Sequence, residues 1–306
     1  MWNMEEKKIQ GFEQAVRVLP LRLRQEAMAL PADQRARVEE LRLRWGRPMA
    51  AVLPEGERPL GGEPVTGQEL EQLLELASRA SFHTVADQLR RGYLTVEGGH
   101  RVGLCGTAVV RDGELRGLRR LSSAAVRVAR QAVGAARPVS DRLLRREGTL
   151  YSTLILAPPG AGKTTLLRDL IRAASDGEGM TPHRVGVADE RGEVAALWNG
   201  RPQLEVGART DVLEGCPKAL ALMLLLRSMN PQVLAADEIT APEDVRALIS
   251  AAGCGAALLA TAHGWDRRDL EARPLYRELM AAGVFRRLVL IRREGDRRQY
   301  EVEELP

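Results

Sequence analysis

The chain has 306 residues, of which 44% are hydrophobic and 28% charged, and its 45 Lys and Arg against 41 Asp and Glu give a net charge of +4. That length can hold two domains with ordinary cores, while the longest apolar run, near 219–226, is too short to span a bilayer. The isolated Cys105, Cys216 and Cys254 predict neither a zinc site nor a disulfide framework, and with no signal-peptide pattern we expect a cytoplasmic location, including the inner face of a membrane.

The first half of the chain predicts a small α+β domain over residues 1–135. Its clearest helix start is a capping box, in which the Thr66 hydroxyl and the Glu69 carboxylate satisfy opposite backbone N–H groups. Basic residues outnumber acidic ones in this half, which is compatible with an anionic membrane surface, nucleic acid, an acidic partner or an ordinary mixed-charge surface. The predicted elements are helices within 1–30, 66–77 and 85–91, and strands over 41–44, 49–53, 93–96 and 100–104.

The second half, residues 136–306, alternates predicted strands and helices. Alternation of this kind implies a mostly parallel sheet with helices on both faces and ligands at the carboxyl ends of its strands. The predicted strands cover 154–156, 185–188, 233–236, 256–261, 288–291 and 299–302, and the predicted helices cover 139–146, 218–229, 242–252 and a stretch after 164.

A glycine-rich stretch between the strand at 154–156 and the following helix has the pattern of a phosphate-binding loop. Its glycines let backbone N–H groups surround a phosphate, and the helix N-terminus adds partial positive charge. Lys163 is expected to reach the β- and γ-phosphates of ATP. Ala157 stands where the pattern asks for Gly, a mild departure if its φ stays negative. The predicted ATP-binding residues are Ala157, Pro158, Pro159, Gly160, Ala161, Gly162, Lys163, Thr164 and Thr165.

A second motif follows the apolar strand at 233–236, which ends in Asp237 and Glu238. Asp237, together with the hydroxyl of Thr164, is expected to hold Mg²⁺ directly or through water. Glu238 is placed to polarise a water for in-line attack on the γ-phosphate. Taken alone an Asp-Glu pair after a strand is often a helix cap, but downstream of a phosphate loop it favours an ATPase.

Other strand ends and two arginines supply further candidates. His263, after the strand at 256–261, can sense the γ-phosphate or orient the attacking water, although histidines after strands are often purely structural. The segment 189–191 can orient Mg²⁺-bound waters, couple to the neighbouring domain or form a surface turn. Arg209 and Arg227 are candidates for stabilising the transferring phosphoryl group across a subunit interface, or for ordinary salt bridges.

Several longer strings resemble those of the stage III sporulation protein AA family, and the resemblance extends from about residue 15 to 300. The chain departs from the related secretion ATPases at two positions. One is Ala157 in the loop, and the other is Asp237, a position at which those enzymes usually carry Gly. The strings that carry the resemblance are 40–44, 92–103, 207–218, 227–231, 237–239 and 260–264.

This resemblance implies a RecA- or AAA-like P-loop NTPase core preceded by a smaller α+β domain. It implies a cytoplasmic ATPase, similar to those of type II and type IV secretion, that forms a hexameric ring at a channel between mother cell and forespore. Membrane proteins of that channel are the implied partners. The implied roles are ATP and Mg²⁺ binding by the loop through Lys163 and Thr164, a Walker B pair at Asp237 and Glu238, and a histidine motif at His263.

Two alternatives to an ATP-driven transport motor stay open at this point. The basic first half allows a nucleic-acid-translocating or remodelling ATPase, although the few aromatic residues and the lack of a helix-turn-helix or RNA-binding signature give no strong nucleic-acid signal. A ring scaffold that binds nucleotide without much hydrolysis is the other alternative, and the presence of Glu238 argues against it.

Overall fold

The computed structural model describes residues 4–78, 92–294 and 297–306, so the helix predicted over 85–91 lies outside the described residues. The chain forms two compact units. The first comprises Met1–Arg130 together with Ala196–Gln203, and the second comprises Gln131–Ala195 together with Leu204–Pro306. Within the described ranges, no helix is long and apolar enough to cross a membrane.

The first unit contains a six-stranded antiparallel sheet with helices around it. Its helices are α1 (Met4–Ala15), α2 (Leu21–Met28), α3 (Ala32–Arg35) and α4 (Gly67–Ala77), and its strands are β1 (Glu40–Arg44), β2 (Pro48–Leu53), β3 (Gly56–Pro64), β4 (Tyr93–Thr95), β5 (Arg101–Arg111) and β6 (Glu114–Arg127). The strand order in the sheet is β3-β2-β1-β6-β5-β4.

Local sequence signals explain how α4 starts and which face it buries. The Thr66 hydroxyl accepts the N–H of Glu69 at 3.2 Å, and the Glu69 carboxylate accepts the N–H of Thr66 at 2.8 Å. The predicted capping box is therefore confirmed. Leu70 and Leu73 point from this helix into a core that it shares with the sheet and with Phe12 of α1.

The second unit is an α/β fold. Its helices are α5 (Lys163–Asp176), α6 (Lys218–Met229), α7 (Pro242–Gly253), α8 (Arg267–Ala272) and α9 (Pro274–Ala281). From β7 onward, the strands of the chain are β7 (Thr153–Ala157), β8 (Val185–Asp189), β9 (Leu197–Trp198), β10 (Arg201–Pro202), β11 (Thr210–Glu214), β12 (Val233–Ala236), β13 (Ala257–His263), β14 (Arg287–Glu294) and β15 (Arg297–Glu304), of which β9 and β10 form a two-stranded ribbon in the first unit.

The main sheet of this unit has the order β11-β8-β12-β13-β7-β14-β15 and is parallel except for the β14–β15 hairpin. Strands β7, β8 and β12 are buried along their whole length, as expected for strands covered on both faces. Because β8, β12, β13 and β7 are parallel neighbours, their carboxyl ends meet at one edge. That edge carries the residues that follow each strand.

One predicted element of the second unit is wrong. The helix predicted over 139–146 is only a short 3₁₀ turn at Ser140–Leu143. The chain then extends, and Leu144 pairs with Leu150 across a turn in which Gly148 has a φ of +78°. Glycine adopts this left-handed conformation without steric cost, so the chain reverses here instead of continuing a helix.

Candidate active site

The phosphate-binding loop starts where β7 ends. Ala157, the position at which the sequence departs from the loop pattern, is the last residue of that strand and therefore extended. Two glycines then take left-handed conformations, Gly160 with a φ of +74° and Gly162 with a φ of +105°. Helix α5 begins at Lys163, directly after Gly162. Strand, left-handed glycines and helix N-terminus together make a backbone cradle for a phosphate.

The ammonium of Lys163 is enclosed by this loop. Its Nζ donates to the carbonyl oxygens of Ala157 at 3.0 Å and Pro158 at 3.1 Å, and it lies 2.9 Å from Nδ1 of His263. The side chain is buried. Burial lowers the pKa of Lys163, while the negative charges of Asp237 and Glu238 act in the opposite direction.

Thr164 and Asp237 lie together at the base of the site. The Thr164 hydroxyl donates to one carboxylate oxygen of Asp237 at 2.7 Å, and the hydroxyl of buried Thr261 donates to the other at 2.6 Å. Loss of water raises the pKa of Asp237, and the two hydroxyl groups oppose this effect. In this structure the carboxylate is therefore held by neutral donors.

A hydroxyl and a carboxylate in contact are the oxygen donors that a Mg²⁺ ion takes from a nucleotide-binding protein, with phosphates and water completing its shell. The pair of Thr164 and Asp237 therefore fits this ion. The described part of the chain contains no group of three or more His, Cys, Asp or Glu side chains that would hold a metal by protein ligands alone. A Mg²⁺ site that depends on the nucleotide needs no such group.

Glu238 lies beside Asp237 with both carboxylate oxygens engaged. One accepts from Nη1 of Arg191 at 3.0 Å, and the other contacts Nε2 of His263. His263 thus touches both Lys163 and Glu238, which come from different strand ends. The predicted histidine at the end of β13 lies within the site.

Eight of the predicted residues line one cavity of about 390 Å³. Two further lining residues, Glu193 and Arg298, were missed by the sequence analysis. Nε of Arg298 donates to the carbonyl of Ala161 at 3.0 Å, and a Cβ added to Gly162 would lie 2.8 Å from that Nε. The predicted lining residues are Gly160, Gly162, Lys163, Thr164, Thr165, Asp237, Glu238 and His263.

The outer side of the loop belongs to a second cavity. Pro158, Pro159, Gly160 and Ala161 line it together with the exposed Trp265. Among these loop residues, Gly160 lines both cavities. The loop is therefore accessible from two sides.

Three predicted candidates lie away from the cavity lining. The guanidinium of Arg209 donates to the carbonyl of Ser175 near the end of α5, and Arg227 is exposed in the last turn of α6. Asp189 is buried, and its carboxylate accepts the N–H groups of residues 193–195. Arg191 of the same predicted segment contacts Glu238.

Similarity to known sequences extends over nearly the whole chain. The sequence matches the family described as sporulation stage III, protein AA over residues 8–301. The chain belongs to this family. Stage III sporulation protein AA of Bacillus subtilis (strain 168) is 39% identical over 286 residues, which cover 91% of this chain and 90% of that protein. The family to which the sequence strings pointed is confirmed.

Solved structures with the same fold include a pilus retraction motor and an ATPase. The pilus retraction motor PilT, solved with bound ADP, superimposes with a TM-score of 0.59 at 16% identity and covers 88% of this chain and 80% of its own. The ATPase DotB of Legionella pneumophila gives 0.55 at 15% identity, with 87% and 76% covered. At these identities the likeness concerns the fold alone. It confirms the predicted P-loop α/β core with a preceding α+β region.

Proposed function

We propose that the chain is a Mg²⁺-dependent ATPase that works as a ring-shaped motor of a secretion-like channel between mother cell and forespore. The observation that carries the ATPase part is the convergence of Lys163, Thr164, Asp237 and Glu238 on one cavity. Two of these residues come from the loop and two from a strand end. Thr164 and Asp237, which are in contact, are 73 positions apart in the sequence. Membership of the sporulation family supports the cellular setting.

The residues of the cavity divide the chemistry among them. The backbone of 158–162 would surround the β-phosphate, and Lys163 would exchange its carbonyl contacts for the β- and γ-phosphate oxygens. Thr164 and Asp237 would hold Mg²⁺, which neutralises charge on the phosphates when bound. Glu238 would orient the attacking water and accept its proton. His263, in contact with Lys163 and Glu238, is placed to report on the γ-phosphate.

A ring would account for the two arginines that do not line the cavity. Arg227 is exposed in the last turn of α6, so it is available to reach the nucleotide of a neighbouring copy. Arg209 would first have to release the Ser175 carbonyl. An arginine supplied in this way can raise kcat by about 10³-fold or more. We propose a hexamer that acts with membrane proteins of the channel, from the cytoplasmic side of the membrane.

The test measures phosphate release by the purified chain with ATP and Mg²⁺. Lys163→Ala is expected to abolish release, whereas Glu238→Gln is expected to keep nucleotide affinity and lower kcat by about 100-fold or more. Glu243→Gln serves as the matched control because Glu243 is exposed and pairs only locally with Arg246 in the described structure. Full turnover in Lys163→Ala would disprove the site.

The same preparation addresses the alternatives. Particle mass with and without ATP, measured by light scattering, is expected to increase in steps that lead to six copies. Nucleotide-dependent assembly without turnover would instead support a ring scaffold. Stimulation of turnover by DNA or RNA, lost at high salt, would support a nucleic-acid motor.

A further inference from the structure

The backbone of Glu238 adopts an unusual conformation. Its φ is +57°, in the left-handed region that residues with a side chain rarely occupy. This conformation lies between the end of β12 and the start of α7. Because such a conformation persists only when its surroundings fix it, individual groups around this peptide must hold it in place.

The N-terminal side of the segment is fixed by β13. The N–H of Glu238 donates to the hydroxyl of Thr261 at 2.7 Å, and the N–H of Ile239 donates to the carbonyl of Thr261 at 2.9 Å. The carbonyl of Ile239 accepts from the hydroxyl of Tyr276 at 2.9 Å. These bonds hold the segment on the neighbouring strand and on α9.

The C-terminal side of the segment is fixed by Asp244. One of its carboxylate oxygens accepts the N–H groups of Thr240 and Ala241, both at 3.1 Å. Asp244 is buried in the first turn of α7. A further bond holds the carbonyl of Glu238 itself.

That carbonyl is bound by Lys218, whose Nζ lies 2.7 Å from it. Lys218 begins α6 and is only 5% exposed. The same ammonium lies 3.4 Å from the carboxylate of Asp244 and 3.3 Å from that of Glu190. An ammonium has three protons, and three acceptors surround this one.

We propose that Lys218 is a positioning residue for ATP hydrolysis. By holding the carbonyl of Glu238, it fixes the left-handed peptide that presents the Glu238 carboxylate to the cavity. This inference rests on the proposed function and deepens it. Lys218 is not among the residues that line the cavity, so it acts through Glu238 and not through the nucleotide.

A plain structural role for Lys218 makes a different prediction. If the ammonium serves only to neutralise buried Asp244, its removal should lower stability and nucleotide binding together. If it positions Glu238, its removal should lower kcat while ATP binding stays intact, because the loop and Lys163 are unaffected. Measuring both kcat and the dissociation constant for ATP therefore distinguishes the two roles.

Removing Lys218 alone would leave a buried carboxylate without its cation, which can unfold a protein. The experiment therefore compares Asp244→Asn with the double variant Lys218→Met and Asp244→Asn. In both, the amide oxygen introduced by Asp244→Asn can still accept the N–H groups of Thr240 and Ala241. The two therefore differ in the contacts of the Lys218 ammonium, namely the bond to the Glu238 carbonyl and the ion pair with the half-exposed Glu190. Asp244→Asn is the matched control because it keeps the bond between Lys218 and the Glu238 carbonyl, and the kcat of the double variant is compared with its kcat.

For the double variant we expect an ATP dissociation constant within about twofold of the control, together with a kcat lower by about tenfold or more. Adding Lys218→Met and Asp244→Asn to Glu238→Gln should lower kcat no further, because the effects of residues that act through one group are not additive.

Equal kcat in the double variant and its control would overturn the inference. So would a loss of ATP binding that parallels the loss of kcat, or an additive loss on Glu238→Gln. An inactive wild type would instead refute the proposed ATPase, and the inference with it.

Discussion

Nζ of Lys163 lies 2.9 Å from Nδ1 of His263, and Nε2 of the same ring contacts the Glu238 carboxylate. The two carbonyls beside Lys163 accept two of its protons, so the third is directed to Nδ1. An ammonium only donates, so Nδ1 must accept, and the ring proton is on Nε2, from which it donates to Glu238. The imidazole therefore connects the lysine of the phosphate loop with the acidic residue proposed to activate water.

The first prediction concerns this tautomer. In nucleotide-free protein, long-range ¹⁵N–¹H correlation spectra should show His263 as a neutral ring protonated at Nε2. The chain has 4 histidines, so His263→Asn assigns the signal by its disappearance. A ring protonated at Nδ1, or at both nitrogens, would contradict the arrangement. Adding ATP with Mg²⁺ to Glu238→Gln should shift Nδ1, since Lys163 then moves to the phosphates.

The second prediction concerns the hydroxyl of Thr164. Thr164→Val removes the oxygen that contacts Asp237 while keeping the side-chain shape, so the Mg²⁺ concentration for half-maximal turnover should rise by about tenfold or more. Thr164→Ser keeps the hydroxyl and is the matched control, expected near the wild-type value. Equal Mg²⁺ dependence in the Val and Ser variants would remove Thr164 from metal binding. Nucleotide affinity measured against Mg²⁺ gives a readout that does not depend on turnover.

The third prediction concerns Arg298, which lines the cavity and bonds to the loop carbonyl of Ala161. A guanidinium beside a phosphate loop adds charge-assisted hydrogen bonds to the nucleotide. Arg298→Ala should therefore raise the dissociation constant for ATP by about tenfold, measured by fluorescence with a labelled nucleotide. Arg246→Ala is the control, because exposed Arg246 pairs with Glu243 on α7 and lines neither cavity beside the loop. An equal, small effect of both substitutions would exclude a specific role for Arg298.

The fourth prediction concerns His100 in the first unit. Its Nδ1 accepts the N–H of Ala129 at 3.0 Å, and the ring is 1% exposed. Burial lowers the pKa of His100 to about 4 from the ordinary 6.5. The unfolded chain therefore binds a proton that the folded chain excludes between these values, and stability falls as the pH is lowered through this range. At pH 5 this group alone should cost about 2 kcal/mol relative to neutral pH.

Urea unfolding followed by circular dichroism at pH 7 and pH 5 measures this loss. His100→Asn is the informative variant, because its side-chain oxygen can still accept the N–H of Ala129 but does not titrate in this range. Its free energy of unfolding should change by about 2 kcal/mol less than that of wild type between the two pH values. An identical pH dependence in both proteins would show that His100 does not titrate as described.

The parts of the site that the sequence predicts are those whose neighbours are close along the chain or are fixed by parallel strand order. The loop at 157–165 is one continuous strand, turn and helix start, and its pattern is local. Asp237 follows β12 and His263 ends the neighbouring parallel strand β13, so their proximity is a consequence of the α/β alternation. These residues could be named from the sequence alone.

The residues that were missed depend on long-range packing. Arg298 reaches the loop because β15 pairs with β14 in a register that sets Arg298 opposite Arg293, and no local pattern determines that register. Lys218 lies within one of the strings that resemble the family, yet its contact with the Glu238 carbonyl depends on how α6 packs beside β12. The edge strand β11 was not predicted. All its residues are only half-buried, which weakens the apolar signal by which a parallel strand is recognised.

The ribbon of β9 and β10 has a practical consequence for anyone who wishes to study the units separately. Residues Ala196–Gln203 belong to the first unit although they are encoded between β8 and β11 of the second. Scission at a single peptide bond, for instance after Arg130, would leave the ribbon on a fragment without the N-terminal residues against which it packs. Excising the second unit cleanly therefore also requires replacing residues 196–203 by a short linker, and a fragment of the first unit has to include the ribbon.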